Sequence, residues 1–314
     1  MPGLFSSATL QRPVDDPRRI RMMVMEHDSL SALIAGGSNF IRSISLFPRQ
    51  EIQPSRRDHV IKMYRYLVSL LLVLFVSLCA LPAYAVTGNA PPANGWAARP
   101  LVMVIDDRGD LCTGTALTLD LVLTAAHCVT RSAGYEVRLY QNGREVPVHA
   151  IVRHPGFDAG AYRASRATAD IALLKLATGL GETVVPAALA PPRRVAVGEA
   201  IVIAGFGVTE AGTSRGLRIP REAKLVVTGQ PGSLQVRLVD PEVRGERIGL
   251  GACTGDSGAP AFDGEGPSVI GVVGWSTAPH DNQGCGGLTG LIPLLKYREW
   301  IIHAARQLGS PLKE

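Results

Sequence analysis

A serine does peptide chemistry only in company. Its hydroxyl is a poor nucleophile near neutral pH until a base takes the proton. The charge that develops on an attacked carbonyl also needs N–H donors aimed at it. The stretch Gly251-Ala252-Cys253-Thr254-Gly255-Asp256-Ser257-Gly258-Ala259-Pro260 offers such a setting. Ser257 stands among small residues with Asp256 before it. Gly255 and Gly258 permit the tight turn and close backbone approach that a substrate-facing loop requires. A base is available in Thr124-Ala125-Ala126-His127-Cys128, directly after the apolar run Leu121-Val122-Leu123-Thr124. An acid is available in Asp170-Ile171-Ala172-Leu173-Leu174-Lys175-Leu176, where a carboxylate enters an apolar segment. Each piece alone also has a plain reading: a glycine-rich turn, an ordinary histidine, a strand-start cap. Together they supply a nucleophile, a base and a group to orient the base, which is what acyl transfer needs. Asp106, Asp107 and Asp120 compete for the role of acid. The first two sit in a turn-like cluster and Asp120 precedes a strand, so solvated turn positions suit them better.

These residues have to be held by something rigid. The chain has 314 residues, 46% hydrophobic and 5% aromatic, with 34 Gly and 22 Pro, which favours a turn-rich fold over a helical bundle. Short runs such as LVMVID (101–106), YEVRLY (135–140), VPVHAIVRH (146–154), AIVIAGFG (200–207), AKLVVTG (223–229), SLQVRLV (233–239) and SVIGVVGW (268–275) are separated by Gly, Pro and Asn turns. That pattern predicts an all-β sandwich or barrel. The segment before it, 86–100, reads as loop. The end differs: residues 294–308 place their larger apolar side chains on one helical face and stop at Gly309, predicting a single carboxy-terminal helix packed on the β body.

Charge excludes one class of partner. Residues 1–85 carry a surplus of four basic residues and residues 86–314 a surplus of one, so the body is nearly neutral and shows no footprint for nucleic acid. Cysteine usage points to export. Cys79 lies inside an apolar run, while Cys112, Cys128, Cys253 and Cys285 are an even set whose spacings do not match C-x-x-C metal sites. Residues 67–82 (LVSLLLVLFVSLCALP) follow Lys62 and Arg65 and precede Ala83-Tyr84-Ala85. Basic flank, apolar centre and A-x-A exit describe a signal peptide at 63–85, too short for a transmembrane anchor. Met63 is the expected true start, with 1–62 an over-called or disordered extension. The mature protein is then expected to be secreted or periplasmic, off the membrane and monomeric.

Taken jointly, TAAHC, DIALLKL and GDSGAP closely resemble the trypsin-like (chymotrypsin-fold) serine proteases, from about Val86 to Ile302. The resemblance implies two antiparallel six-stranded β-barrels, about 86–190 and 191–293, with the active site between them and a helix at 294–308. It implies Ser257 as nucleophile, His127 as general base, Asp170 as the acid that holds the imidazole, and the N–H groups of Gly255 and Ser257 as the oxyanion hole. It pairs Cys112 with Cys128 and Cys253 with Cys285. It also implies that a new amino terminus inserts and pairs with Asp256. Cleavage after Ala85 leaves Val86-Thr87-Gly88-Asn89, similar to the family's Ile-Val-Gly-Gly start, with no Arg or Lys before it for an activating protease. The expectation is that signal peptidase itself makes the active terminus.

Substrate selection follows by the same carry-over. Gly251 falls where members that cut after Arg or Lys have an aspartate, so an uncharged primary pocket for apolar side chains is expected. Gly274-Trp275-Ser276 stands where the family more often has Ser-Trp-Gly. Gly274 removes a hydroxyl that supports the acid, and Ser276 narrows the pocket mouth. His280 is read as a solvated loop histidine, and His149, His154 and His303 as structural. The implied function is a secreted endopeptidase acting on proteins or peptides, with no metal and no cofactor. The alternative is a non-catalytic relative that uses the same fold to bind a partner.

Overall fold

Twelve strands close into two antiparallel barrels in this computed structural model. It describes residues 86–93, 95–131, 134–214, 217–264 and 266–313, together with 57, 61 and 63–69. The chain divides into two units, Met1–Leu70 and Leu71–Glu314. In the first, residues 63–69 are helical and exposed. The remainder of the expected signal peptide, its A-x-A exit and nearly all of the extension lie outside the described residues. Among those described, no helix is long and apolar enough to cross a membrane.

The second unit holds both barrels. The first runs β1 (Leu101–Asp106), β2 (Leu111–Ala116), β3 (Leu121–Thr124), β4 (Tyr135–Arg138), β5 (Glu145–Arg153) and β6 (Ala172–Leu176), closing in the order β1-β2-β3-β6-β5-β4. The second runs β7 (Ala200–Gly205), β8 (Arg221–Gly229), β9 (Val236–Val239), β10 (Pro260–Asp263), β11 (Val269–Ser276) and β12 (Thr289–Pro293), closing as β10-β11-β12-β9-β8-β7. Closure removes every sheet edge, which is how an antiparallel sheet of short strands satisfies its backbone. The alternating burial along β8 shows the period-two pleat, with Ala223, Leu225 and Val227 facing inward.

Among the described residues, three large apolar clusters hold this together. Val102, Val104, Val122, Val137 and Leu174 fill the first barrel. Ile201, Ile203, Leu225, Leu238 and Leu291 fill the second. A third cluster joins them: Leu121, Leu123, Ile171 and Leu173 from one barrel meet Phe206, Phe262, Val272 and Ile292 from the other. The last helix, α3 (Arg298–Gln307), adds Ile301, Ala304 and Ala305 to that shared core. Each large apolar side chain buried in this way is worth about 1.5–3 kcal/mol.

The fold class expected from sequence is therefore the observed one, with details changed. The carboxy-terminal helix begins at Arg298, after a tight turn at Leu294–Lys296. It is not the only helix. A single turn, α1 (Gly95–Ala98), lies within 86–100, and α2 (Ala159–Arg163) precedes Asp170. The sequence reading missed α2 because it is too short for a periodic pattern. Its signal is the cap, since Asp158 accepts from the N–H groups of Gly160 and Ala161 at 2.7 and 3.0 Å. Strands β10 and β12 were also missed: Pro-Ala-Phe-Asp merges with the glycine-rich turn before it, and Thr-Gly-Leu-Ile-Pro runs straight into the segment expected as helix.

Candidate active site

The register of β3 against β6 sets the first two site residues side by side. Thr124 pairs with Ala172, so the turn leaving β3 and the residues entering β6 meet at one end of the barrel. His127 lies on that turn, Ala126–Val129, and Asp170 lies two residues before β6. Asp170 is only 1% exposed, and both its oxygens are engaged. Oδ2 lies 2.6 Å from His127 Nδ1 and Oδ1 accepts from the His127 backbone N–H at 2.8 Å. One carboxylate thus fixes both the main chain and the ring of the histidine. With Nδ1 as the donor, Nε2 is left as the base.

A second element guards this pair. Tyr162 of α2 stacks on the imidazole with ring centroids 4.3 Å apart and an angle of 11° between planes. Burial pushes its phenol up to about 12, with the Asp170 charge adding to the rise. The phenol ring covers one face of the imidazole. The competing acids are placed elsewhere. Asp106 pairs with Arg131 and Asp120 with Lys175. His154 packs edge-on against Tyr297 and Trp300, a structural position as read.

Ser257 arrives from the second barrel. Its carbonyl accepts from the Thr113 N–H of β2 at 2.8 Å, and Gly258 N–H donates to Val273 O at 2.8 Å. At Gly258, φ is +84° and a Cβ would fall 2.1 Å from Thr124 Oγ1 and 2.2 Å from Thr113 O, so only glycine lets the turn dock here. The Cys112–Cys128 disulfide lies at this junction, with Cys128 Sγ 3.8 Å from His127 Nε2 and 3.7 Å from Ser257 O. Its sulfurs are bonded to each other, so the Cys112–His127–Cys128 cluster offers no thiolate to a metal. Among the described residues, no hydrogen bond joins the Ser257 hydroxyl to His127. In unliganded sites such contacts are often long and tighten only around substrate.

The loop before Ser257 is stiffened from both sides. Cys253–Cys285 forms as expected. The Gly255 carbonyl accepts from Thr113 Oγ1 at 2.8 Å, and the same hydroxyl accepts from Phe206 N–H at 3.1 Å. Thr113 is fully buried, and no motif in the sequence singles it out. Asp256 is buried and accepts from Cys253 N–H at 2.9 Å and Gly207 N–H at 2.8 Å. Burial raises its carboxyl to about 7, against the lowering effect of those two bonds. Gly205 and Gly207 make room for it, since a Cβ at either would come within 2.4 Å of a carboxylate oxygen. Val86 is fully buried in the second-barrel core beside Ala252 and Ala259, at φ +50°, and Thr87 bridges to Gly251.

The segments assigned to substrate selection also meet. Ser276 pairs across β11–β12 with the buried Thr289. Thr289 Oγ1 accepts from Ala252 N–H at 2.9 Å. A Cβ on Gly251 would lie 3.2 Å from that oxygen and 3.3 Å from Gly286 Cα, so the space above Gly251 is uncharged and tightly bounded. Ser276 Oγ donates to Gly284 O at 3.2 Å, narrowing the same region. Gly274 lies under Asp170, a Cβ there falling 3.7 Å from Oδ2. Trp275 is half-buried and covers Gly290. It forms part of a cleft of about 540 Å³ that runs past Tyr162 and Asp170.

The family model described as Trypsin matches residues 85–301. Human serine protease 56 is 30% identical over 231 residues, 64% of this chain and 35% of that protein. Phenoloxidase-activating factor 3 of Holotrichia diomphalia is 28% identical over 48% of this chain and 51% of its own length. The chain thus spans about half or less of these two relatives. Trypsin epsilon of Drosophila erecta is 24% identical over 77% of this chain and 100% of its own. Among solved structures, human heparin binding protein superposes with a TM-score of 0.57 at 20% identity, covering 72% of this chain and 100% of that one, a likeness of fold. With two closed six-stranded barrels, the His127–Asp170 pair beside Ser257, and a family match across most of its length, this chain belongs to the trypsin family of serine proteases and their homologues.

Proposed function

We propose that the protein is an exported serine endopeptidase. The observation that carries the reading is the buried, doubly made bond between Asp170 and His127 at the turn where Ser257 docks. Ser257 Oγ attacks the carbonyl carbon of a peptide bond while His127 Nε2 takes its proton. The N–H groups of Gly255 and Ser257 receive the oxyanion. The C–N bond breaks as the imidazolium returns the proton to the leaving amine, giving an acyl-enzyme on Ser257. Water, deprotonated by His127, then releases the acid and restores the serine. Asp170 keeps the ring in one tautomer and offsets its charge throughout. The steps need neither metal nor cofactor.

The tight space among Gly251, Thr289 and Ser276 supports a primary pocket for small uncharged side chains. Two facts support Val86 as the working amino terminus. The uncut chain holds a β-branched residue at positive φ, which costs energy that cleavage releases. It also buries Asp256 with two N–H donors and no cation bonded to it among the described residues. A free Val86 ammonium supplies the missing charge. The second reading is a non-catalytic binding protein on the same fold, in which Ser257 and His127 never form the hydrogen bond that is lacking among the described residues.

A fluorophosphonate probe separates the two readings. The endopeptidase is labelled on Ser257, and labelling disappears in Ser257→Ala with peptide hydrolysis falling about a millionfold. Protein that is folded, begins at Val86 and is not labelled refutes the reading.

A further inference from the structure

The cleft beside the candidate catalytic pair has a charge that the rest of the body lacks. Its floor is Tyr162, Trp275, Leu288 and Ile292. Its rim carries Arg163 and Arg166 from α2 and the turn after it, and Arg237 from β9 on the other barrel. All three are exposed, and none of their guanidinium groups makes an ion pair or hydrogen bond with a described residue. Two acids line the same cleft. Asp170 is occupied by His127, and Asp281 is exposed at the edge. Asp158 stands close enough for Arg166 and Arg163 to help lower its carboxyl, but its main stabilisation comes from the backbone N–H groups of Ala161 and Gly160 that it caps. The cleft therefore presents three guanidinium groups against one uncommitted carboxylate.

Resting on the endopeptidase reading, we infer that this cleft selects peptides with acidic side chains on the amino-terminal side of the scissile bond. Arg163, Arg166 and Arg237 are the residues that read them. The side follows from the wall: Ser276 lines this cleft and pairs with Thr289, which bounds the small pocket that receives the acyl residue, and Trp275 precedes it on the cleft wall. Residues preceding that acyl residue pass over Trp275 toward the arginines. Guanidinium binds carboxylate through two parallel N–H donors, which suits Glu or Asp better than a neutral isostere. An aromatic floor lets the aliphatic stem of Glu pack while its carboxylate reaches the rim. His280, the loop histidine, is exposed and borders none of this cleft.

Binding, measured without turnover, tests the inference. The full chain is expressed with Ser257→Ala, purified, and titrated with fluorescent peptides that differ only in Glu, Gln or Lys at two to four positions before a fixed small residue. Glu peptides are expected to bind at least tenfold tighter than Gln peptides and tighter still than Lys peptides, with the advantage fading between about 0.05 and 0.5 M salt. The triple variant Arg163→Gln/Arg166→Gln/Arg237→Gln abolishes the preference, whereas Arg194→Gln, outside the cleft, leaves it. Equal binding of the three peptides overturns the inference, and so does a preference that survives the triple variant. Binding of a sulfated oligosaccharide through the three arginines, with peptides indifferent to charge, overturns it as well. Fluorophosphonate labelling of the Ser257-containing protein reports separately on the endopeptidase reading.

Discussion

Thr113 Oγ1 of the first barrel donates to the carbonyl of Gly255 in the second at 2.8 Å. The contact crosses the junction at which the serine-bearing loop meets the histidine-bearing barrel. The Thr113 backbone N–H holds Ser257 O, and its carbonyl accepts from Thr124 Oγ1 at 2.9 Å, one strand end away from His127. One buried residue thus braces Gly255, Ser257 and the His127 turn.

Replacing Thr113 by Val keeps the shape and removes the hydroxyl. Gly255 O and Phe206 N–H then lose their partner in a buried place, which costs about 1–3 kcal/mol of stability. The proposed oxyanion donors, the N–H groups of Gly255 and Ser257, sit on the loop that is loosened, so kcat is expected to fall about tenfold with KM nearly unchanged. Thr113→Ser restores both. Steady-state kinetics with chemical denaturation checks this; a Val variant that loses stability but keeps kcat disproves the positioning role.

Asp256 gives a pH signature. In the uncut chain its folded carboxyl sits at about 7, above the ordinary 3.8, because burial disfavours the charged form. The folded state therefore holds a proton that the unfolded state has lost between those values, and stability falls as pH rises from about 4 through 7. The shift corresponds to at most about 4 kcal/mol. Asp256→Asn is expected to flatten the trend. A chain that begins at Val86 reverses it: the ammonium lowers the carboxyl, and stability rises with pH until the amine itself titrates near 8. Thermal midpoints of the three proteins across pH 4–9 decide the matter. Parallel curves for the cut and uncut chains exclude the Val86–Asp256 pairing.

Much of this architecture was readable in the chain. Short apolar runs between Gly and Pro turns marked most of the strands, since a strand in a closed barrel must be brief, inward-facing and ended sharply. The candidate residues His127, Asp170 and Ser257 stood out in the sequence because their neighbours are as constrained as they are. Gly258 has to be glycine to clear Thr113 O, and Ala172 pairs with Thr124. Thr113, Thr289 and Tyr162 were not. Each is an ordinary residue whose importance comes from what a distant strand places beside it, and no local period records such pairings. The arginines of the cleft escaped notice for a different reason. Arg237 and Arg163 lie far apart in the chain, so the near-neutral total concealed a local concentration of one sign.

Gly274 offers a test in the direction of gain. A Cβ at this position would lie 3.7 Å from Asp170 Oδ2, which puts a serine hydroxyl within hydrogen-bond reach of the carboxylate. Ile292 Cδ1, at 3.1 Å, is a movable methyl that has to give slightly. Gly274→Ser is expected to raise kcat/KM a few-fold by fixing Asp170 against His127, a gain of about 0.5–1.5 kcal/mol. Gly274→Ala, which meets Ile292 without the hydroxyl, is expected to gain nothing. Comparing the two on one small-residue peptide isolates the hydrogen bond, and equal effects remove it from consideration.

On the proposed endopeptidase reading, Thr289 is expected to set the size limit of the primary pocket. It is fully buried, faces Ser276 across the sheet and reaches within 3.2 Å of a Cβ on Gly251. Thr289→Gly removes the side chain that fills this space, at the cost of leaving Ala252 N–H without its 2.9 Å partner. Stability is expected to drop by about 1–3 kcal/mol. Selectivity is expected to move from Ala or Val toward Leu and Phe at the residue before the scissile bond. Each methylene newly admitted is worth about 0.8 kcal/mol, so the Leu-to-Ala ratio of kcat/KM rises roughly tenfold or more. Ser276→Gly, which opens the mouth and leaves the floor, is expected to move the same ratio less. A library profile in which Thr289→Gly keeps the Ala preference places the primary pocket elsewhere on the barrel.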